Sequence, residues 1–225
     1  MNRTPRPLAI VAAAGPGMGL AVARRFAREG FDLALIARDE TRLAAQAGAI
    51  AGTGGIARAF AADLTDENSI RAVMARIEAE MGPAEVLVFN AGVWREGPVL
   101  SMSAQDFQRD LMLCATSALV CTQAVLPGMR ERGRGTLLFT GGGLALRPEF
   151  GAGVASLAAG KSALRGLVHA MAPELTQAGV RVGLITIAGT VAPGTAFDPD
   201  RIAELYWRHH ADVAPDVETI FDGRG

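Results

Sequence analysis

Of the 22 Lys and Arg residues in this chain, all but Lys161 are arginine. A guanidinium is a rigid, permanently charged fork, whereas an ammonium is a compact point charge whose pKa moves on burial. The lysine sits in "SLAAGKSALRG" (156–166), and two readings stand: a point donor kept for its chemistry, or a chance survivor on a solvated helix face. A second candidate is the turn "AAAGPGMG" (12–19), which joins an apolar run to a helical pattern. Gly15, Gly17, Met18 and Gly19 there would let backbone approach a pyrophosphate, with the helix N-terminus adding N–H groups and positive dipole. A merely tight turn is the alternative.

Other reactive side chains promise less. His209 and His210, with Asp212 nearby, are adjacent, so they point to different sides of a helix and suit a solvated helix end better than a metal. His169 follows Lys161 by two turns, about 12 Å, which suits a packed or interface residue. Cys114 has no base near it in sequence and reads as a small core residue. Cys114 and Cys121 lie two turns apart on one expected helix, about 10 Å, and cannot bridge each other. Trp94, just after "NAG" (90–92), either walls a pocket or anchors neighbouring loops.

The elements that must position these residues alternate. Continuous apolar runs such as "PLAIVAA", "DLALIA" and "AEVLVFNAG" have the character of doubly buried parallel strands. Between them lie helical patterns at 17–30, 39–50 and 66–81. A long helix is expected over 103–132, then the strand "GTLLFTGGG", a helix over 152–177, the strand "VRVGLITIAG", a helix over 199–210 and a last short strand, "VETIFDG". Strict β-α alternation predicts a doubly wound α/β fold: a parallel sheet of about seven strands with helices on both faces, in one domain over 1–225. Right-handed crossovers then gather the carboxyl ends of the strands at one edge, where ligands bind.

At 225 residues and 50% hydrophobic, the chain is long enough for a sizeable core. A net charge of −1 offers no electrostatic case for nucleic acid or an anionic membrane. The apolar run 8–14 is short for a signal peptide, and no segment is expected to span a membrane. These features suit a soluble cytoplasmic protein.

The glycine turn, Asn90-Ala91-Gly92 and Lys161 together resemble the short-chain dehydrogenase/reductase family, along nearly the whole chain. The resemblance implies a Rossmann fold that binds a nicotinamide dinucleotide. The family's T-G-x-x-x-G-x-G falls on Ala12 to Gly19: Gly17 and Gly19 match, Ala12-Ala13 replace Thr-Gly, and Gly15 is expected to restore the turn's freedom. Asp63 and Leu64 are similar to the family's pair at the adenine, and Asn90, Ala91 and Gly92 to its segment beside the adenosine ribose. Ala37 stands where NAD-preferring members carry an acid, and Arg38 follows it, so NADP(H) is favoured over NAD(H). Ala188, Gly189 and Pro193 stand in place of the family's Pro-Gly and Thr, which removes a nicotinamide contact or shifts it to Thr190 or Thr195.

The family's Tyr-x-x-x-Lys pair becomes Leu157 and Lys161, and the chain's one tyrosine, Tyr206, lies far downstream. The catalytic serine is expected at Gly141, with Thr140 as the nearest hydroxyl, and the helix asparagine at Cys114. Lys161 is then expected to bond the ribose hydroxyls of the cofactor, with water, Thr140 or the substrate itself as proton source. Two functions follow from the resemblance. One is an atypical oxidoreductase acting on a small carbonyl or alcohol. The other is a non-catalytic NAD(P)-binding sensor or partner subunit. The partners expected are a small-molecule substrate or none, no metal, and a second or further copies of the chain as a homodimer or homotetramer. That assembly would pair the helices over 103–132 and 152–177 through Leu113, Ala118, Leu119, Leu164, Leu167 and Val168.

Overall fold

A computed structural model describes residues 6–51, 56–211 and 216–224. Seven strands, β1 (Leu8–Ala12), β2 (Asp32–Ala37), β3 (Ala57–Ala61), β4 (Val86–Phe89), β5 (Gly135–Gly142), β6 (Val180–Ile187) and β7 (Glu218–Phe221), form one sheet. Every pairing is parallel, and the order is β3-β2-β1-β4-β5-β6-β7. The helices are α1 (Met18–Arg28), α2 (Glu40–Ala51), α3 (Glu67–Met81), α4 (Ala104–Leu111), α5 (Ser117–Arg132), α6 (Ala155–Gln177) and α7 (Pro199–Ala211).

Strand period two divides the core. Leu8, Ile10, Leu137 and Phe139 point to one face, packed with Ile70 of α3, Cys121 of α5 and Leu164 of α6. Ala9, Val11 and Leu138 point to the other, packed with Val22 of α1, Leu43 of α2 and Tyr206 of α7. Both faces of β1 are therefore buried, which is why its sequence is apolar throughout. The strand order reverses between β1 and β4, the switch point where an open α/β sheet leaves a crevice.

Three departures from the sequence expectation concern the helices. The helix expected over 103–132 is interrupted by a π-helical turn, Met112–Thr116, with Cys114 at its centre. Such single π turns cluster at functional sites. The run Ala104–Arg132 also contains a stretch long and apolar enough to cross a membrane, contrary to the expectation that none exists. Here it packs Cys121, Val125 and Met129 into the core. The third departure is His209 and His210, which are not a solvated helix end. Pointing to different sides, His209 is buried against Thr219 (Nε2 to Oγ1, 2.8 Å), and His210 bonds Thr136 Oγ1 at 2.9 Å while packing on Phe26, Phe31 and Trp207. The helix end is wedged between the sheet and α1. Asp212 lies outside the described residues.

The last strand is held from one side by a charged knot. Arg165 of α6 donates to both carboxylate oxygens of Glu218 (3.0 and 2.9 Å), joined by Thr186 Oγ1 at 2.6 Å and His169 Nε2 at 3.0 Å. Burial opposes charge on Glu218, but these bonds hold its carboxyl down at about 2. His169 is thus a strand-fastening residue on an exposed helix face, remote from the glycine turn.

Candidate active site

The turn after β1 bends at Ala13, where φ is +61, the one non-glycine residue among those described with a positive φ. Gly15 is not among the positive-φ glycines, so the expectation that it relieves the turn is overturned. The left-handed bend falls where the resemblance placed the family's first glycine, and an alanine bears it. Side chains added at Gly15 or Gly17 would meet nothing, so this backbone faces open space. At Gly19 a Cβ would lie 2.7 Å from Ala14 Cα and 2.8 Å from Ala13 O, so α1 is seated directly on the turn. No side chain caps α1 at Gly17 and no acid lies in its first turn, leaving the positive helix end, with Met18 as its first residue, to whatever binds.

Beside this turn a cleft of about 720 Å³ opens at the carboxyl ends of β1, β2 and β4. Gly15, Arg38, Asp63 and Leu64 line it, as do Asn90, Ala91 and Gly92. Among the lining residues that the sequence reading missed are Arg42 and Gln46, in the first two turns of α2. An arginine four positions after Arg38, at the start of a helix, was the available signal. Arg42 Nη2 lies 3.2 Å from Asp39 Oδ2, and the buried Oε1 of Gln46 has no partner. Asp63 accepts from the Thr65 amide and hydroxyl (2.9 and 2.8 Å), which holds its carboxyl below the usual range with help from Arg109 and Arg38.

Lys161 lies beyond Gly92 and is buried, with 7% of its surface exposed. Its Nζ donates to Ala91 O (3.0 Å) and Thr140 O (2.7 Å), tying α6 to the ends of β4 and β5. The reading of a chance survivor on a solvated face is therefore excluded. Burial pushes its pKa down to about 8, against a small opposing pull from Cys114.

Thr140 does not turn its hydroxyl to this side. Its Oγ1 donates to Asn90 Oδ1 (2.8 Å) and meets Tyr206 OH at 2.6 Å, while Asn90 Nδ2 donates to Ala13 O at 3.1 Å. The expected proton source is thus a structural link from α7 through β5 and β4 to the glycine turn, and only its carbonyl faces the lysine. Burial raises the Tyr206 phenol far above its ordinary value. Position 141 needs the same correction. A Cβ on Gly141 would run into Thr186 Oγ1, with Thr186 Cα 3.0 Å away, whereas one on Gly142 would lie 3.4 Å from Lys161 Cγ. The strand-end residue facing the lysine is Gly142.

Cys114 is fully buried beside Gly160, and burial raises its thiol pKa, as suits a core residue. Asp110, one turn before it, is 2% exposed and holds Arg95 by two bonds (2.8 and 3.1 Å) and Ser156 by one (2.8 Å). Those bonds, Arg95 foremost, lower its carboxyl pKa and clamp the loop after β4 onto α4 and α6. Trp94 neither walls nor anchors: it is exposed, with Nε1 bonded to Glu96. The side-chain direction of Gly189 is filled by the ring of Phe197, which meets Phe221 edge-on. Thr195 Oγ1 is committed within its own loop, to Ala192 O and Phe197 N.

The family model for short chain dehydrogenase matches residues 7–200. The chain belongs to the short-chain dehydrogenase family. This short-chain dehydrogenase is 32% identical to 2-(S)-hydroxypropyl-CoM dehydrogenase 3 of Xanthobacter autotrophicus, over 96% of this chain and 81% of that one. It is 34% identical, over 88% of this chain and 80% of the other, to a protein of the same bacterium named inactive 2-(S)-hydroxypropyl-CoM dehydrogenase 2. Among solved structures, a metagenomic short-chain oxidoreductase in complex with NADP is 30% identical, with a TM-score of 0.86 over 95% of this chain and 96% of that one. Beside its lysine this short-chain dehydrogenase has Leu157 and Gly142, neither of which carries a hydroxyl.

Proposed function

We propose that this short-chain dehydrogenase binds NADP(H) in the cleft and interconverts a small carbonyl compound and its alcohol without a tyrosine. The carrying observation is the far end of the cleft, where Arg38 and Arg42 stand with no acid at Ala37. Asp39, the carboxylate next to Arg38 in sequence, is committed to the Arg42 side chain and to the Arg42 amide at 3.0 Å. Two guanidiniums suit a 2′-phosphate, and the metagenomic relative described with NADP agrees. The open backbone at Gly17 and the uncapped start of α1 would receive the pyrophosphate, and Asp63, Leu64 and Asn90 the adenosine. When bound, the nicotinamide supplies or accepts the hydride. Lys161, held by the Ala91 and Thr140 carbonyls, would stand at that end with one N–H not used by them.

Arg38→Ala is expected to weaken NADPH binding by about 1.5–3 kcal/mol and to leave NADH nearly unchanged. Arg42→Ala should act in the same direction, because it also frees the Asp39 carboxylate beside the phosphate. Fluorescence titration of both cofactors measures this. Equal losses for NADPH and NADH would place the guanidiniums on the adenine instead.

A second reading, a dinucleotide-binding protein without turnover, is favoured by one observation: neither Leu157 nor Gly142 gives the lysine a hydroxyl neighbour. Retained NADPH binding with no carbonyl reduction would decide for it. In either case we propose a cytoplasmic homodimer or homotetramer through α5 and α6. Ala118, Leu164 and Val168, expected at that interface, are instead consumed by the core. Leu119 and Leu167 remain part-exposed and support an isologous contact, whereas Leu113 lines the cleft. Sedimentation is expected to show dimer or tetramer at micromolar concentration, and a monomer alone would defeat the proposal.

A further inference from the structure

We propose that Lys161 is itself the proton donor of the reduction, passing its third N–H to the oxygen of a carbonyl seated over Gly92. This rests on the reductase reading above and adds the residue that does the acid's work.

Three observations place the proton there. First, two of the three N–H groups are spent on Ala91 O and Thr140 O, and the third has no protein acceptor among the described residues. Second, the point where a side chain on Gly92 would begin has Lys161 Cε and Nζ as its nearest atoms, each at 3.5 Å, then Leu157 Cδ1 at 3.8 Å. Gly92 is exposed and lines the cleft, so an oxygen there is within reach of the ammonium and of an apolar methyl. Third, the alternatives are engaged elsewhere. Thr140 Oγ1 serves Asn90 and Tyr206 on the other side of the strand, and Gly142 has no side chain.

The ammonium is also suited to give up a proton. Desolvation brings its pKa to about 8, near the working range of a general acid. The titratable groups facing it are few. Cys114, from the π turn, stays a thiol because burial raises its pKa, and Asp110 behind it is neutralised by Arg95. In the step, the carbonyl carbon gains a C–H bond from the hydride of the reduced dinucleotide as the C=O π pair moves to oxygen. That oxygen takes the proton as the Nζ–H bond breaks, leaving a neutral amine that regains a proton from water.

The single lysine makes the test direct. Protein labelled with ¹³Cε-lysine gives one side-chain signal, whose titration is followed by NMR with and without NADP⁺. In parallel, single-turnover oxidation of NADPH is recorded against 2,3-butanedione and 4-nitrobenzaldehyde at saturating NADPH. The signal is expected to titrate near pH 8, and the rate to fall in step above that pH. Lys161→Arg keeps the charge without the titration and should lower the rate about 10²–10⁴-fold and flatten its pH profile. Gly92→Ala, whose methyl fits at ordinary contact distance, should lower the rate while leaving the lysine titration in place. A lysine that stays charged to about pH 10, or a Lys161→Arg rate equal to the natural chain's, overturns the proposal and spares the reductase reading. Bound NADPH that neither carbonyl oxidises at any pH overturns both.

Discussion

The double substitution Leu157→Tyr with Gly142→Ser is expected to raise carbonyl reduction at saturating NADPH by about 10²-fold, the low end of a general acid's worth because Lys161 already donates a proton there. Leu157 and Lys161 are one helical turn apart on the face of α6 that borders Gly92, so a phenol at 157 lies beside the ammonium. A positive charge within about 4–6 Å favours the ionised phenol and lowers its pKa toward the working range. Gly142 has its side-chain direction toward Lys161, with the nearest atom at 3.4 Å, so a hydroxyl there reaches the same oxygen. Because both groups act on one oxygen, their joint gain should exceed the sum of the single gains. Gly141→Ser is the control. It should lose about 1–3 kcal/mol of stability against Thr186 and gain no rate. A double variant that binds NADPH and reduces carbonyls no faster than the natural chain would show that the two positions do not share a substrate oxygen.

The glycine turn should respond to substitution in both directions. Gly19→Ala places a methyl within 3 Å of Ala14 Cα and Ala13 O, which are backbone atoms and cannot swing aside. The start of α1 must move, at a cost of about 1–3 kcal/mol in stability. If one charge-assisted amide bond to a bound pyrophosphate is lost, about 1.5–3 kcal/mol, NADPH affinity should fall about 10–100-fold. Ala13→Gly acts oppositely. It relieves about 1–2 kcal/mol of left-handed backbone cost and returns about 0.4–1 kcal/mol to unfolded-chain entropy. A net gain of about 0.5–1 kcal/mol is expected in denaturant unfolding. No gain at Ala13→Gly would mean that the strain in the bend is no larger than the entropy the glycine costs.

The alternation of apolar runs and helical patterns revealed the sheet and its switch point, because parallel strands covered on both faces have no other way to be built. Arg38, Asp63 and the segment Asn90 to Gly92 were named from the family resemblance, and they line one cleft because each ends or closely follows a strand and strand ends meet at one edge. What a strand end does not disclose is side-chain direction. Thr140 was expected beside the lysine, but its hydroxyl turns to Tyr206 on the opposite face, while Gly141 points at Thr186 and leaves Gly142 toward Lys161. The left-handed bend at Ala13 was invisible because residue type argued against it. His209 and His210 were misjudged since helix periodicity reports which residues share a face, not whether that face is covered. The π turn at Cys114 has no sequence period of its own, so an uninterrupted helix was the natural expectation.

The burial of the one lysine also makes the native fold a shield for a single scissile bond. A protease that cuts only after lysine has one target in the whole chain, inside α6 where the side chain is packed between β4 and β5. Native protein should resist it, and each cut records an opening large enough to release that helix. When reclosing outpaces cutting, the cleavage rate reports the equilibrium population of the open form. A ligand that binds only the closed cleft slows that rate by mass action, so the appearance of two fragments becomes a gauge of cofactor affinity that requires neither a substrate nor turnover.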